Sequence, residues 1–167
     1  QMYGNEPSRW SDDLTGVAFP FSILGGAPEI TDVTVTLDIT GGWNGDLYAY
    51  LAHDSGFAVL LNRVGVGQAT PGSDSIGYGD TGFAGLVLTS AASDNVHFYG
   101  NASPTLNGSG QLTGSWRPDG RGIAPNSAPS AFDAAGTADF STFNGLNPNG
   151  NWTLFIADAA PGSLSTL

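Results

Sequence analysis

The stretch ITDVTVTLDIT, residues 30–40, decides the fold class. Ile30, Val33, Val35, Leu37 and Ile39 are apolar, and from Val33 onward they alternate with Thr34, Thr36 and Asp38. Alternation with a period of two, built on β-branched residues, marks a strand with one face on a core and the other in water. Gly41-Gly42-Trp43-Asn44-Gly45-Asp46 follows, a turn dense in residues that reach positive φ at low steric cost. LYAYLA at 47–52 reads as a second strand, His53-Asp54-Ser55-Gly56 as a second turn, and 57–61 as a third strand. Strands joined this closely form an antiparallel meander or part of a Greek key.

Further strands are expected at 83–89, at 95–99 with Val96 and Phe98 on one face, near 112–116, and at 152–157. Residues 62–82 hold too much glycine for regular structure. Residues 100–139 are rich in Gly, Pro, Ser and Asn, and a stretch of that length is expected to wrap the sandwich or to carry function. No segment has helical periodicity and no internal repeat is visible. Residues 1–28 are set apart as an N-terminal segment, an edge strand or assembly arm, ahead of a sandwich at 29–167.

Composition excludes several roles. Of 167 residues only 19 are charged: four Arg, no Lys, thirteen Asp and two Glu, for a net charge of −11. Four scattered arginines make neither a nucleic-acid surface nor a polybasic membrane-binding face. No run of eighteen apolar residues exists, so no membrane insertion is expected. The absence of Cys removes thiol catalysis, disulfides and thiolate metal sites. Four Trp, nine Phe and five Tyr nevertheless supply the large apolar groups of a packed core. The chain opens on Gln1 rather than Met, as a processed mature end does.

Catalytic motifs are weak. His53 and His97 are the only histidines, and no G-x-S-x-G elbow occurs. Gly77-Tyr78-Gly79-Asp80-Thr81-Gly82 matches G-x-G-x-x-G, but it stands between a loop and a strand rather than between a strand and a helix. The chain is read as a non-enzyme. Ca²⁺ is the cofactor expected, since hard cations take several oxygen ligands and Asp gathers in the turns. The ligands proposed for it are Asp46, Asp74, Asp80 and Asp158; the competing reading is that Asp simply initiates turns. Three N-x-S/T triplets offer glycosylation at Asn101, Asn107 and Asn151.

Two stretches go beyond generic β-sheet. Residues 30–65 carry Gly45-Asp46-Leu47, Ser55-Gly56, Leu60-Leu61 and Arg63. Residues 143–167 carry Phe143-Asn144-Gly145, Gly150-Asn151-Trp152-Thr153-Leu154, Ala157-Asp158 and Gly162. Together they resemble the start and end of the P domain, or Homo B domain, of subtilisin-like proprotein convertases. Residues 83–121, with SWRPDGR at 115–121, also resemble stand-alone versions in exported bacterial proteins with a PEP-CTERM sorting tail. The resemblance implies an all-β, jelly-roll-like antiparallel sandwich of about eight strands. The expectation is of a stand-alone version, with no protease domain beside it and no sorting tail. It also stops at Leu167, where the family continues into a closing strand.

A sandwich without that strand exposes an edge able to pair with another chain. The expectation is therefore a secreted structural subunit, extracellular or on the cell surface. It would assemble with itself through sheet edges into a filament or surface layer, with residues 1–21 as the donated element. The alternative is a monomeric calcium-dependent module that binds a glycan or protein through Trp43, or an accessory domain of a secreted protease.

Overall fold

The computed structural model describes residues 16–67, 75–160 and 165–166. They form a β-sandwich. One sheet has the order β1-β7-β3-β4, from Val17–Ile23, Gly150–Asp158, Leu47–His53 and Gly56–Asn62. The other has the order β6-β5-β2-β8, from Ser115–Trp116, Gly82–Thr89, Thr34–Gly41 and Ser165–Thr166. All pairings are antiparallel except β5 with β6, which is parallel.

The alternation in β2 works as its sequence demands: Leu37 and Ile39 are buried while Thr34, Thr36 and Asp38 face out. β3 and β4 close through a two-residue turn in which Asp54 takes φ 51°, a left-handed value that Asp tolerates. The turn before β3 is a short 3₁₀ helix, Asn44–Asp46, wholly buried. Gly45 is required there because a side chain would run into the backbone of Ile76 and Gly77.

β1 falls inside the stretch set apart as an N-terminal segment. It bonds along its whole length to β7 of its own chain, from Val17 opposite Ile156 to Ile23 opposite Gly150. Residues 1–15 lie outside the described part. Residues 95–99 are not a strand: Val96–Asn101 is a 3₁₀ segment kinked at Phe98, capped by the Asn95 side chain accepting from the His97 N–H. The strand expected at 112–116 is reduced to Ser115–Trp116, with Leu112 making single bridges.

Residues 117–139 wrap the outside of β4. The N–H of Val59 donates to Ala138, and the carbonyls of Val59 and Leu60 accept from Gly120 and Asp119. Because that segment leads straight from β6, β6 stands on the β4 side of the sandwich and the β2 end stands on the β1 side. Beneath the wrap lies a sealed polar cluster. His97 Nδ1 is 2.7 Å from Asp119 Oδ2, and its Nε2 is 2.8 Å from the carbonyl of Val66. The imidazole is thus held at both ring nitrogens, by a carboxylate on one side and a backbone carbonyl on the other. Arg121 bonds the other Asp119 oxygen at 3.3 Å, donates to the Phe132 carbonyl at 2.8 Å, and stacks over the Phe98 ring.

Candidate functional site

A sheet has two edges, so the sandwich has four, and their fates differ. The edge of β4 is occupied by the backbone of 119–138. β6 is two residues long and bounded by the Leu106–Leu112 and Asn95–Arg117 bridges. β1 presents Pro20, which has no N–H to give. Leu47 turns its carbonyl to Arg63 on the β4 side, and alternation then gives the backbone groups of Tyr48, Tyr50 and Ala52 to β7. Thr153, opposite Ala52, therefore faces β3, so Pro20, opposite Thr153 in β1, has its backbone turned outward. Proline there blocks pairing at the point where another chain would bond.

The edge of β2 is the exception. β8 covers it only at Thr40 and Gly41, and among the described residues no strand pairs with 34–38 on that side. The direction of its free groups follows from its neighbour. The N–H of Val87 donates to Gly114 on the β6 side, so Val87 faces away from β2 and the opposite Thr36 faces the open side. Thr34, two residues back, does the same.

The apolar residues beside this edge are also incompletely covered. Val33 and Val35 point inward yet are only half-buried, as are Val17, Phe19, Phe21 and Ile23 of β1. The corresponding residues on the other side, Ala58, Leu60 and Leu61 of β4, are fully buried. The open side is thus a shallow apolar furrow with backbone donors and acceptors along one lip. Glu29, Asp32 and Asp38 stand exposed at its two ends.

The residues singled out from the sequence are distributed around this frame. The β3–β7 register brings Asp46 and Asp158 to adjacent strand ends, both buried. The Arg63 guanidinium stands 4.0 Å from Asp46 and donates to the carbonyls of Gly45 and Ser75. Burial pulls the affinity of Arg63 for its proton down, and Asp46 and Asp158 restore part of it. Asp80 does not join them: its carboxylate accepts from the Tyr99 hydroxyl at 2.7 Å. Burial, and then that hydrogen bond, push the Tyr99 phenol well above its ordinary range. Asp74 lies outside the described residues, and no group of three metal-ligating side chains occurs among those described.

Trp43 is 44% exposed on the turn before β3. Asn101, Asn107 and Asn151 are all exposed; the Asn107 amide nitrogen donates to Gln111, and the Asn151 side-chain oxygen accepts from Ser22. His53 is held between the carbonyls of Asn151 at 2.9 Å and Asn147 at 2.7 Å, its ring flat on Trp152. It lines a polar recess of about 420 Å³ whose other walls are Asp54, Asn147, Asn149, Gly150 and Asn151. Among the described residues neither histidine hydrogen-bonds to a hydroxyl, and the His97–Asp119 pair is sealed from solvent. Sequence reading missed that pair because His97 lies in a 3₁₀ segment and Asp119 in the loop after β6, and the residues between them carry no shared motif.

No protein-family model, curated protein or solved structure matches the chain. The class that the fold defines is an all-β sandwich, with one sheet edge left open among the described residues.

Proposed function

We propose that this protein is a non-catalytic structural module, exported to the cell exterior, that joins other polypeptide chains by strand addition at the edge of β2. The observation that carries the reading is the contrast among the four edges: three are blocked or covered, and 34–38 alone keep outward backbone groups without a partner strand among the described residues. Edges left this way are templates for another chain. With only one such edge, joining one partner fits the geometry better than edge-to-edge growth of a filament. The low charge, the lack of Lys and Cys, and the resemblance to exported P-domain-like chains support the extracellular setting.

The test is hydrogen exchange on the native, assembled protein alongside its mass by light scattering. Amides of Thr34 and Thr36 should exchange fast in the isolated chain and become protected on assembly. Assemblies in which those two amides remain unprotected would remove this edge from the account.

A second reading, a calcium-dependent glycan-binding module, is favoured by the exposed indole of Trp43, three residues from Asp46. Trp stacks on sugar faces. Fluorescence titration with glycans, with and without Ca²⁺, should then show quenching that Trp43→Ala removes; identical quenching in the variant ends this reading.

A further inference from the structure

We propose that the strand received at β2 is an extended segment of a different protein, apolar at every second residue and basic at its polar positions, rather than a second copy of this chain. The inference rests on strand addition at β2 and adds the chemistry of the partner.

Side chains directly opposite each other on paired strands share a face. Residues placed opposite Val33 and Val35 would therefore point inward, over the half-buried rings of Phe19 and Phe21, and complete the core where it is thin. Residues opposite Thr34, Thr36 and Asp38 would point outward, on the face where the Asp38 carboxylate accepts from Gly85 N–H. β8 shows the antiparallel direction accepted at this edge. A segment of about seven residues, at roughly 3.4 Å each, spans the opening.

Charge selects the partner. Glu29, Asp32 and Asp38 bracket the edge, and every described arginine already stands beside an aspartate: Arg63 by Asp46, Arg117 by Asp139, Arg121 by Asp119. Two antiparallel copies of β2 centred on Val35 put Asp38 of one chain opposite Asp32 of the other. Centring them on Thr36 makes the same two residues diagonal neighbours. Like charges in those positions oppose pairing, and charged edges guard against self-association. Lysine or arginine on an incoming strand meets the opposite situation.

The experiment uses the full chain and two labelled, end-capped peptides of about seven residues. Both alternate inward valines with outward residues, which are lysine and threonine in one and aspartate and threonine in the other. Fluorescence anisotropy at low salt should show the lysine peptide binding at least about tenfold tighter, with the gap narrowing at high salt. Thr36→Pro removes an outward N–H and should abolish binding. Because that variant could also disturb β2, the lysine peptide N-methylated on the residues that bond to Thr34 and Thr36 serves as a second control, and it should not bind. Equal affinity for both peptides overturns the charge selection, and unchanged binding of the N-methylated peptide overturns the backbone pairing. Dimers of the chain alone, dissolved by Thr36→Pro, overturn the foreign partner while leaving strand addition at β2 standing. No binding of either peptide to a monomeric chain overturns this inference; strand addition itself then stands or falls by the exchange of the Thr34 and Thr36 amides.

Discussion

On the β4 side of the sandwich, Leu60 and Leu61 are fully buried, residues 119–138 bond the strand edge, and charged side chains sit inside in a closed network. On the β2 side the same kind of inward-facing residue is half-exposed, and the backbone of Thr34 and Thr36 faces away from its sheet. The two sides use the same alternating chemistry. They differ in whether a further length of the described chain lies across them. A long, irregular stretch therefore does more for stability here than its composition suggests, and the regular strand β2 is the one whose edge the described residues leave uncovered.

The largest effect should come from breaking the closed side. Asp119→Ala removes the acceptor of His97, of Arg121 and of the Asn62 N–H together, leaving buried donors with nothing to receive them. A loss of about 3–5 kcal/mol is expected, read as a lowered denaturant midpoint. The comparison sharpens across one ladder, since Val35 and Leu88 are directly paired. Leu88→Ala should cost about 3 kcal/mol and Val35→Ala only about 1 kcal/mol, because only the first side chain is sealed. Equal losses would mean that the furrow is already covered.

Tyr99→Phe comes next, at about 1 kcal/mol at pH 7 for the lost bonds to Asp80 and Asn44. The fold favours the neutral phenol, so its contribution is complete below the unfolded tyrosine value near 10 and declines as pH rises past it. Unfolding curves at pH 7 and pH 11 should therefore show the gap between wild type and variant narrowing. Tyr48, raised by burial, keeps some alkaline slope in both proteins. The smallest change in stability, within about 0.5 kcal/mol, is expected of Pro20→Thr, yet it restores an outward N–H on β1. Light scattering should then detect association beyond that of the wild type.

The strands at 34–41, 47–53, 56–62, 82–89 and 150–158 were legible because their alternation and turn residues agree. β1 was harder: Val17, Phe19, Phe21 and Ile23 alternate correctly, but Pro20 argues against a strand unless the edge position is known. Val96 and Phe98 imitate a strand, whereas Asn95 two residues before His97 was the local signal for a capped turn. The closeness of Asp46 and Asp158 depends on strand register, and the His97–Asp119 contact depends on a loop folding over β4, so neither could be read from spacing. What the sequence did carry of the candidate surface was the alternation of β2 itself, without any indication of which side of it the described residues would leave uncovered.

Pro20 has one more consequence. With β1 stopped and β2 open among the described residues, the proposed contact would give the module a valency of one. Mixed with a chain that repeats a suitable segment, it would decorate that chain one bead per segment and halt at saturation. It could not crosslink two such chains into a network. A coat built through this contact is a single layer, and its thickness is limited by one proline on the opposite sheet.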